Sequence, residues 1–591
     1  MCGIFIVINK KSQHLNVSKC KKALNQMYRR GPDWSFYKIP KNNVFIGQVV
    51  LSMTGKIKKD IKQHYSNSKK YFIVFNGEVY NYKNLSVNFL SQEVDNNISD
   101  TNILVNLFDI KEINQINSLL DGMYAYVVYD KENNQLIIGR DPQGEKTLYI
   151  YENDSQIVIS SEVNPIIQYT NDNEINVDIL KSYFYTRHFI QFDKTIFQRI
   201  KIFEPGSTNI LNLKNFKLKI LSINNIRSYV DEKEFNRNLK RNETDLVEEL
   251  DFLLKKNLKE MIPVNRVFAS ILSGGIDSSL VSNYLCKISK PKKLIFLDHV
   301  GKDALSSEIK YFEKYINKKI TQYKIDAKYY KENLIKCLKI CNSPIHSHDF
   351  VGQFIISDKI NKIGCRALFG GVGADELFGG YETYRQNIED PNINYSNYTK
   401  LIEPKLFSKN KEFYFFKERI DDNWKKCLES YSFIKDKNHQ NRLAMMLMDS
   451  TIQLTSSALK SCDLMSMYYS VESRSVFLRK EIVKFALNLP LKFKINLKQN
   501  NVMSTKILLK KVFLKYFPYK LVFKKQGFAG FPNEMKNFLG STKKYKIKDS
   551  FKINNFDKVI NHTDRATAWK IYNTEMYLRN CKIASNNTNQ K

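Results

Sequence analysis

The chain has 591 residues, which is more than one compact core usually accommodates and favours two large domains. Hydrophobic residues make up 43% and aromatic residues 13%, enough for packed interiors, and no run of about 18 uncharged apolar residues predicts a membrane span. A net charge of +33 would suit nucleic acid or an anionic membrane. The lysines are scattered, however, and form no basic motif interleaved with aromatic residues, so we expect neither partner.

The cysteines and the amino-terminal stretch indicate a cytoplasmic protein. Nine cysteines form no CxxC pair and show no spacing to histidine typical of a zinc site, which predicts reduced thiols in a cytoplasm-like compartment. The opening MCGIFIVINKK is too short in its apolar part for a signal peptide and has no basic segment before it. We interpret it as a buried strand.

Short apolar runs separated by turn residues predict a sheet-rich domain from residue 1 to about 212. The predicted strands are Ile4–Ile8, Tyr71–Phe75, Met123–Tyr129, Leu136–Gly139, Leu148–Tyr151 and Ile157–Ser160. Residues 213–245 are polar and charged without a clear buried face, which is typical of a connection between domains.

Helical periodicity dominates from 246 to 582, with strands between the helices. Arg266–Leu272 and Leu294–Leu297 are predicted strands, and Ala367–Phe369 ends a third before a glycine-rich turn. This alternation predicts an open parallel sheet with ligands at the carboxyl ends of its strands. The polar tail, 583–591, is predicted to be disordered.

Cys2 is a candidate nucleophile because removal of Met1 would make it the amino terminus. Its own α-amine, with a pKa of about 7.7–8.0, could then act as the base. Taken alone, a cysteine at this position is more often a packed apolar residue.

The motifs around Cys2 resemble those of class II glutamine amidotransferase domains over about 200 residues. In family order they are MCGIF, RRGPD at Arg29–Asp33, NGEVYN at Asn76–Asn81, SD at Ser99–Asp100, GMYAYVVYD at Gly122–Asp130 and GRDPQGEKTLY at Gly139–Tyr149. The resemblance implies an α+β N-terminal-nucleophile fold, with two stacked antiparallel sheets between helices. It also implies that Cys2 attacks the side-chain amide of glutamine.

The same resemblance implies roles for other residues of this domain. Asn76 and the backbone N–H of Gly77 would form the oxyanion hole, while Glu78 and Asp100 would hold the amino group of glutamine. The family grips the glutamine carboxylate with an arginine, but the segment GQVVLSMTG places Val50 there. A contact worth about 1.5–3 kcal/mol is therefore missing. Three possibilities remain open. Glutamine hydrolysis could be weak, another basic residue could bind the glutamine carboxylate, or the domain could act on a different amide.

The second domain contains an SGGIDSS loop between the apolar strand VFASIL and a helical run. A strand, a glycine turn and a helix start form an anion cradle, and the absence of GK[ST] excludes a Walker A loop. The loop resembles that of the ATP pyrophosphatase superfamily, which transfers AMP to a carboxylate. Under this resemblance Asp277 would also bind Mg²⁺. The expected nucleotide-binding residues of this loop are Leu272, Ser273, Gly274, Gly275, Asp277, Ser278 and Ser279.

The segment GGVGADELFGGY, Gly370–Tyr381, resembles the second signature of the asparagine synthetase family. The resemblance implies that Asp375 is the other Mg²⁺ carboxylate and that Gly370 and Gly371 lie near the nucleotide. Lys506 matches the lysine that stabilises charge during adenylation. The segments DLMSMYYSVESRSVFL, at 463–478, and KKQGF, at 524–528, also follow in family order.

Two further positions depart from the family pattern. Val372 replaces the acid of the SGEGSDE-type motif, and a valine can neither take a proton from ammonia nor order it. Arg479 ends a VFLR segment where the family has PFLD. These departures leave open which carboxylic acid the second domain converts to an amide.

The main hypothesis is a glutaminase domain followed by a Rossmann-like adenylating domain, which together form asparagine from glutamine, aspartate and ATP with Mg²⁺. One alternative is an ATP-dependent amide or ring synthetase for another carboxylic acid, with altered glutaminase activity. The other is a catalytically silent binding or regulatory relative. The resemblance allows a homodimer and implies an internal passage for ammonia.

Overall fold

The computed structural model describes residues 2–11, 14–54, 59–91, 93, 98–185, 192–299, 306–386, 411–523, 545–551 and 565–581. The KKQGF segment and the tail 583–591 lie outside these residues. The strands are β1 Cys2–Asn9, β2 Trp34–Lys41, β3 Val44–Val50, β4 Tyr71–Val79, β5 Gly122–Asp130, β6 Gln135–Arg140, β7 Tyr149–Glu152, β8 Gln156–Ser160, β9 Ile200–Ile202, β10 Ser207–Asn212, β11 Leu218–Ile223, β12 Phe268–Ile271, β13 Lys293–His299, β14 Ile320–Ile325, β15 Ala367–Gly370 and β16 Glu472–Ser475.

The α-helices follow the same chain order. They are α1 Val17–Asn25, α2 Tyr82–Leu85, α3 Asp100–Leu107, α4 Ile113–Leu119, α5 Val163–Thr170, α6 Val177–Tyr185, α7 Glu232–Lys240, α8 Glu243–Met261, α9 Ile276–Ile288, α10 Ser306–Ile316, α11 Ala327–Cys341, α12 Asp349–Lys362, α13 Ala374–Phe378, α14 Lys411–Ser430, α15 Lys437–Thr451, α16 Lys460–Met467, α17 Lys480–Leu487, α18 Ile507–Leu514, α19 Lys546–Phe551 and α20 Arg565–Asn580. No helix among the described residues is both long enough and apolar enough to cross a bilayer.

The first half of the chain forms two antiparallel sheets, as predicted. One has the strand order β2-β3-β1-β8-β7-β9 and the other β11-β10-β6-β5-β4. Their facing sides share one apolar core, to which Ile4 and Ile46 contribute from the first sheet and Val74 and Val127 from the second. Helices α1 and α5 cover the outer face of the first sheet, and α3 and α4 cover that of the second. The six strands predicted in this half are confirmed.

The second half contains a five-stranded parallel sheet with the order β14-β13-β12-β15-β16. Strand β12 pairs in parallel with β13 on one side and β15 on the other, so the strand order reverses direction there. The glycine turns that follow β12 and β15 therefore lie side by side at the carboxyl edge, where open parallel sheets bind ligands.

The segment predicted to connect the domains, 213–245, has secondary structure of its own. Leu218–Ile223 forms β11, which pairs with β10 at the sheet edge, and Glu232–Lys240 forms α7. The burial pattern of β11 is almost wholly exposed. An exposed edge strand buries neither face, which explains why its sequence gives no apolar periodicity.

The two halves share an apolar core and several buried ion pairs. Tyr80 and Met123 of the first half belong to the same cluster as Phe268 and Phe369 of the second. Arg266, at the start of a predicted strand, instead precedes β12 and bonds to the first half through Asp33 and the Ser52 carbonyl.

Arg479 is a part of this interface and not of the carboxyl edge of the parallel sheet. Its guanidinium is 2% exposed and pairs with Asp121 at 2.7 Å and Glu260 at 2.6 Å. The ring of Tyr80 lies 4.8 Å from it. The departure from PFLD to VFLR thus supplies a buried cation that joins the two halves.

We expect Asp121→Asn to lower the free energy of unfolding by about 3 kcal/mol, because it leaves a buried guanidinium short of a partner. The measurement is urea-induced unfolding at neutral pH. The control is Asp422→Asn, which removes an exposed pair with Lys426 and should change stability by less than about 1 kcal/mol. Equal effects of the two variants would contradict the importance of the buried pair.

Candidate active sites

Cys2 is the first residue of β1 and lies at a cavity in the first half. Strand pairing puts it opposite Val50 of β3. Its backbone N–H donates to Asn76 Oδ1 at 3.0 Å, and its carbonyl accepts from Arg30 Nε at 3.0 Å. Its side chain lines the cavity together with Gly77, Glu78 and Asp100, among others. The structure therefore brings the predicted residues of the first site together.

Asn76 and Gly77 have the features that an oxyanion hole requires. The Asn76 side chain is fully buried, and its Nδ2 has no hydrogen-bond partner among the described residues. Gly77 has φ +153°, and a Cβ there would lie 2.0 Å from the Met123 carbonyl oxygen. Any larger residue would push this backbone out of place. A side-chain amide and a backbone amide are thus held near Cys2.

The position of Asp100 is fixed at the start of helix α3. Ser99 caps α3 by accepting from the Asn102 N–H, and Asp100 stands in the first turn. Its carboxylate accepts from Thr54 Oγ1 at 2.8 Å and from the Val79 N–H at 3.0 Å. Burial raises the pKa of Asp100, and these hydrogen bonds oppose the rise.

Glu78 lines the same cavity but is also tied to the second half. Its carboxylate forms a buried ion pair with Arg474 on β16. Burial raises the pKa of Glu78 well above its ordinary value, while Arg474 acts in the opposite direction. Arg474 was not predicted as a site residue, because it lies 396 positions from Glu78 in the sequence.

No lysine or arginine lines this cavity among the residues that the structure describes. Val50 is 8% exposed and presents an apolar surface. His64 does line the cavity, and its Nδ1 lies 2.9 Å from the Ile73 carbonyl, which requires the Nδ1–H tautomer of the neutral ring. Burial lowers the pKa of His64 to about 4, so the ring is uncharged at neutral pH. Sequence reasoning missed this residue, since an isolated histidine carries no motif.

The second candidate site begins at the turn after β12. Leu272 is fully buried and donates its N–H to the Ile295 carbonyl at 2.9 Å. Gly274 has φ +79°, and Gly275 caps α9. The hydroxyls of this turn bond to each other and to its backbone: Ser273 to Ser278, and Ser278 and Ser279 to the Gly275 carbonyl. The amino end of a 13-residue helix thus meets a compact turn, as an anion cradle requires.

The turn after β15 packs directly against this cradle. A Cβ on Gly371 would lie 2.7 Å from Asp277 Cβ, so only glycine permits the approach. A Cβ on Gly370 would meet nothing within 4 Å, which leaves space beside the end of the strand. The predicted glycines therefore border the same edge as Asp277.

Lys506 lies between the two predicted metal carboxylates. Its Nζ is 2.6 Å from Asp277 Oδ2 and 2.6 Å from Asp375 Oδ1. Burial alone would lower the pKa of the Lys506 ammonium, but the two carboxylates hold it above its usual value. Lys506 itself has φ +50° at the start of α18, and a Cβ on Gly380 would collide with both Asp375 and Lys506. The surrounding backbone is shaped around this cluster.

The donor set of this cluster fits Mg²⁺ in part. Carboxylate oxygens are preferred ligands of Mg²⁺, which is usually bound by one or two carboxylates together with substrate phosphates. No group of three or more His, Cys, Asp or Glu side chains that could hold a metal occurs in the described part of the chain. Asp277 and Asp375 could therefore hold the ion only with oxygens from another source.

Val372 lies beside this edge and is partly buried against Leu454 and Leu478. Its carbonyl accepts from Ser475 Oγ at 2.5 Å. The second site therefore has an apolar wall at the position where the motif resemblance leads us to expect an acid.

Comparisons with known proteins divide the chain at the same place as the sheets do. Residues 1–220 match a family model described as "Glutamine amidotransferase domain", and residues 249–574 match one described as "Asparagine synthase". The second match alone covers more than half of the chain. The protein belongs to the asparagine synthase family.

Individual relatives are distant. The chain is 28% identical over 405 residues to "Asparagine synthetase [glutamine-hydrolyzing] 1" of Bacillus subtilis, a match that covers 65% of this chain and 60% of that protein. It is 26% identical to "Probable asparagine synthetase [glutamine-hydrolyzing]" of Acanthamoeba polyphaga mimivirus, covering 65% of this chain and 68% of that one. The matched part thus spans less than two thirds of the length of the Bacillus protein.

A solved structure titled as glutamine phosphoribosylpyrophosphate amidotransferase from B. subtilis shares 14% identity and covers 55% of this chain and 81% of that one. Its TM-score of 0.29 is too low to carry an argument. The fold assignment rests on the sheet topology and on the family matches. It is a glutamine amidotransferase domain of the N-terminal-nucleophile type followed by an α/β domain.

We expect Lys506→Met to increase the affinity of the Asp277 and Asp375 carboxylates for a divalent cation in the absence of nucleotide. The substitution removes a cation that occupies both carboxylates, so a divalent ion no longer competes with it. Binding of Mn²⁺, followed by electron paramagnetic resonance as a substitute for Mg²⁺, should tighten about tenfold, or about 1.4 kcal/mol.

The matched control is Lys511→Met, because Lys511 is a half-exposed lysine of the same helix that pairs with Glu243. It should leave Mn²⁺ binding unchanged. Weaker Mn²⁺ binding in Lys506→Met would show that the carboxylates do not form a cation site.

Proposed function

We propose that this protein is a glutamine-dependent asparagine synthetase. The observation that carries the proposal is the Lys506 ammonium between Asp277 and Asp375 at the edge where the two glycine turns meet. Such a cluster matches the needs of adenylation, which develops negative charge on a polyphosphate beside a cation. The family membership and the Cys2 cavity support the first half of the reaction.

In the first domain, Cys2 would attack the side-chain amide of glutamine and release ammonia. The unpartnered Asn76 Nδ2 and the Gly77 N–H would stabilise the oxyanion, a contribution typically worth about 3–4 kcal/mol per donor. Asp100 and Glu78 would hold the amino group of the substrate. Removal of Met1 is a part of the proposal, and that residue lies outside the described part of the chain.

In the second domain, ATP would bind over the SGGIDSS turn, with its phosphates at the amino end of α9. Asp277 and Asp375 would hold Mg²⁺, which supplies charge neutralisation between the phosphates and their surroundings. Lys506 would stabilise the charge that develops when the aspartate carboxylate attacks the α-phosphate and pyrophosphate leaves. Ammonia from the first domain would then displace AMP from the aspartyl adenylate.

The domain division is part of the same proposal. We place the glutaminase unit in 1–212 and the synthetase unit in 246–582, with 213–245 as the connection, of which β11 extends the edge of the first unit's sheet. A cytoplasmic protein and a homodimer complete the proposal.

Two observations favour a second candidate, a synthetase for another carboxylic acid with altered glutaminase activity. No guanidinium lines the first cavity among the described residues, where Val50 stands at the expected arginine position, and Val372 leaves an apolar wall at the second site. A pyrophosphate-release screen over a panel of acids separates the candidates. Release with another acid but not with aspartate would replace the first proposal by the second.

The decisive experiment measures amide formation from aspartate and ATP, with either glutamine or ammonium as the nitrogen source. We expect Cys2→Ala to abolish the glutamine reaction and to leave the ammonium reaction intact, because only the first needs the thiol. Product amide and AMP are measured together by chromatography.

The control is Cys20→Ala in the same domain. Burial raises the pKa of the Cys20 thiol to about 11, so it is unreactive, and both reactions should persist. Equal loss of the two reactions in Cys2→Ala would contradict the proposal that glutamine hydrolysis and amide formation occur at separate sites. Failure of wild-type protein to release pyrophosphate with any acid would refute the enzyme altogether and favour a silent relative.

A further inference from the structure

Two polar side chains at the interface between the halves make no side-chain hydrogen bond to any residue that the structure describes. Tyr80 directly follows β4 and is 7% exposed, and its hydroxyl oxygen is buried without a hydrogen bond to any described residue. Glu145, in the turn after β6, is partly buried, and its carboxylate makes no hydrogen bond or ion pair within the described ranges. Buried polar groups are nearly always paired in native proteins, so the Tyr80 hydroxyl points to a transient ligand, and Glu145 offers a partly buried carboxylate at the same interface.

Tyr80 lies beside the two buried arginines of the interface. Asn76 and Glu78 alternate along β4, so their side chains leave the same face of the strand, and Tyr80 directly follows its last residue, Val79. The ring of Tyr80 lies 4.8 Å from Arg479 and 5.7 Å from Arg474, both in the second half. Arg474 also pairs with Glu78, which lines the Cys2 cavity, so Tyr80 adjoins the contact between that cavity and the second half.

The turn that carries Glu145 contacts the wall of the second site. Gln143 Nε2 donates to the Leu478 carbonyl at 2.8 Å, and the Gln143 carbonyl accepts from Thr455 Oγ1 at 2.9 Å. Leu478 in turn packs against Val372. Glu145 therefore stands on a turn anchored beside the apolar position of the second site.

Several charged groups act on Glu145 electrostatically. Asp141, Asp121 and Glu472 are acids, and Lys146 is a cation. Burial, followed by Asp141, raises the pKa of Glu145 well above its ordinary value, and Lys146 opposes the rise. The Lys146 ammonium itself lies 3.5 Å from Asp463. A carboxylate in such surroundings takes up a proton more readily at neutral pH than an ordinary glutamate does.

We propose that Glu145 is the proton acceptor for the amine that is acylated in the second site, and that the Tyr80 hydroxyl holds this amine on its way there. The inference rests on the proposed function and deepens it. It assigns a proton-accepting residue to the step for which Val372 provides no acid.

The lone pair of ammonia forms the C–N bond to the acyl carbon, and the C–O bond to AMP breaks with its electron pair on the phosphate oxygen. The nitrogen then carries one proton more than the product amide, and this proton passes to the Glu145 carboxylate.

The test uses the full chain with Glu145→Gln, which keeps the shape of the side chain and removes its basicity. Aspartate-dependent exchange of pyrophosphate into ATP and glutamine hydrolysis should stay near wild type. Amide formation from ammonium should fall about a hundredfold or more, the usual range for a lost acid–base group. Hydroxamate formation should fall much less, since hydroxylamine is a weaker base than ammonia and is uncharged at neutral pH.

Two further variants distinguish a chemical role from a structural one. Glu132→Gln removes an exposed acid that pairs with Lys70 and should behave as wild type. The double variant Glu145→Gln/Val372→Glu should form amide from ammonium at least tenfold faster than Glu145→Gln, because the second substitution places a carboxylate at the same wall of the second site.

Each outcome decides the inference. Wild-type ammonium activity in Glu145→Gln would overturn it, and so would a parallel loss of pyrophosphate exchange, which would make the residue structural. Absence of exchange in the wild-type protein with every acid tested would refute the proposed function instead. Loss of ammonium activity with exchange and hydroxamate formation retained supports Glu145 as the proton acceptor.

Discussion

The buried guanidinium of Arg474 is the interaction on which the arrangement of the two halves depends. It bonds to Glu78 beside the Cys2 cavity, to Glu472 on its own strand at 2.6 Å, and to the Met261 carbonyl at the end of α8. A cation with no access to water is tolerated only when all of its donors find acceptors. Glu472 pairs with this cation within the second half, whereas Glu78 reaches it only when the halves are docked, so the docking is specified by charge as well as by apolar contact.

Glu78 therefore belongs both to the first cavity and to the interface between the two halves. It lines the first cavity, and it is the anion that Arg474 requires. Arg474 precedes Ser475, whose hydroxyl bonds to the Val372 carbonyl beside the second glycine turn. A short series of direct contacts thus joins the Cys2 cavity to the sheet edge that carries the two glycine turns. The geometry of each site is supported by the other half of the molecule, which accounts for the shared core that includes Tyr80 and Phe369.

The sequence allowed the strands and both glycine turns to be predicted, because these features are local. An apolar run such as Met123–Tyr129 identifies a buried strand, and SGGIDSS identifies a turn whatever the rest of the chain does. The pairs Arg474–Glu78 and Arg479–Asp121 could not be predicted in this way, since their members lie 396 and 358 positions apart. Their charges carry no periodicity, and only the completed fold brings them together.

The three departures from the family pattern have different physical meanings. The charge of Arg479 is fully paired, because Asp121 and Glu260 accept its hydrogen bonds. This substitution therefore does not indicate a loss of catalytic activity. Val50 is not compensated by any cation among the described residues of its cavity. Val372 removes an acid from one wall, while an uncommitted carboxylate, Glu145, stands on a turn that packs against the same wall. A protein that had drifted from catalysis would have no reason to keep Lys506 between two partly buried carboxylates, since that cluster requires a left-handed residue and two closely packed glycines. Under the proposed function the departures therefore concern which amide and which acid are used, and they leave the Lys506 cluster intact.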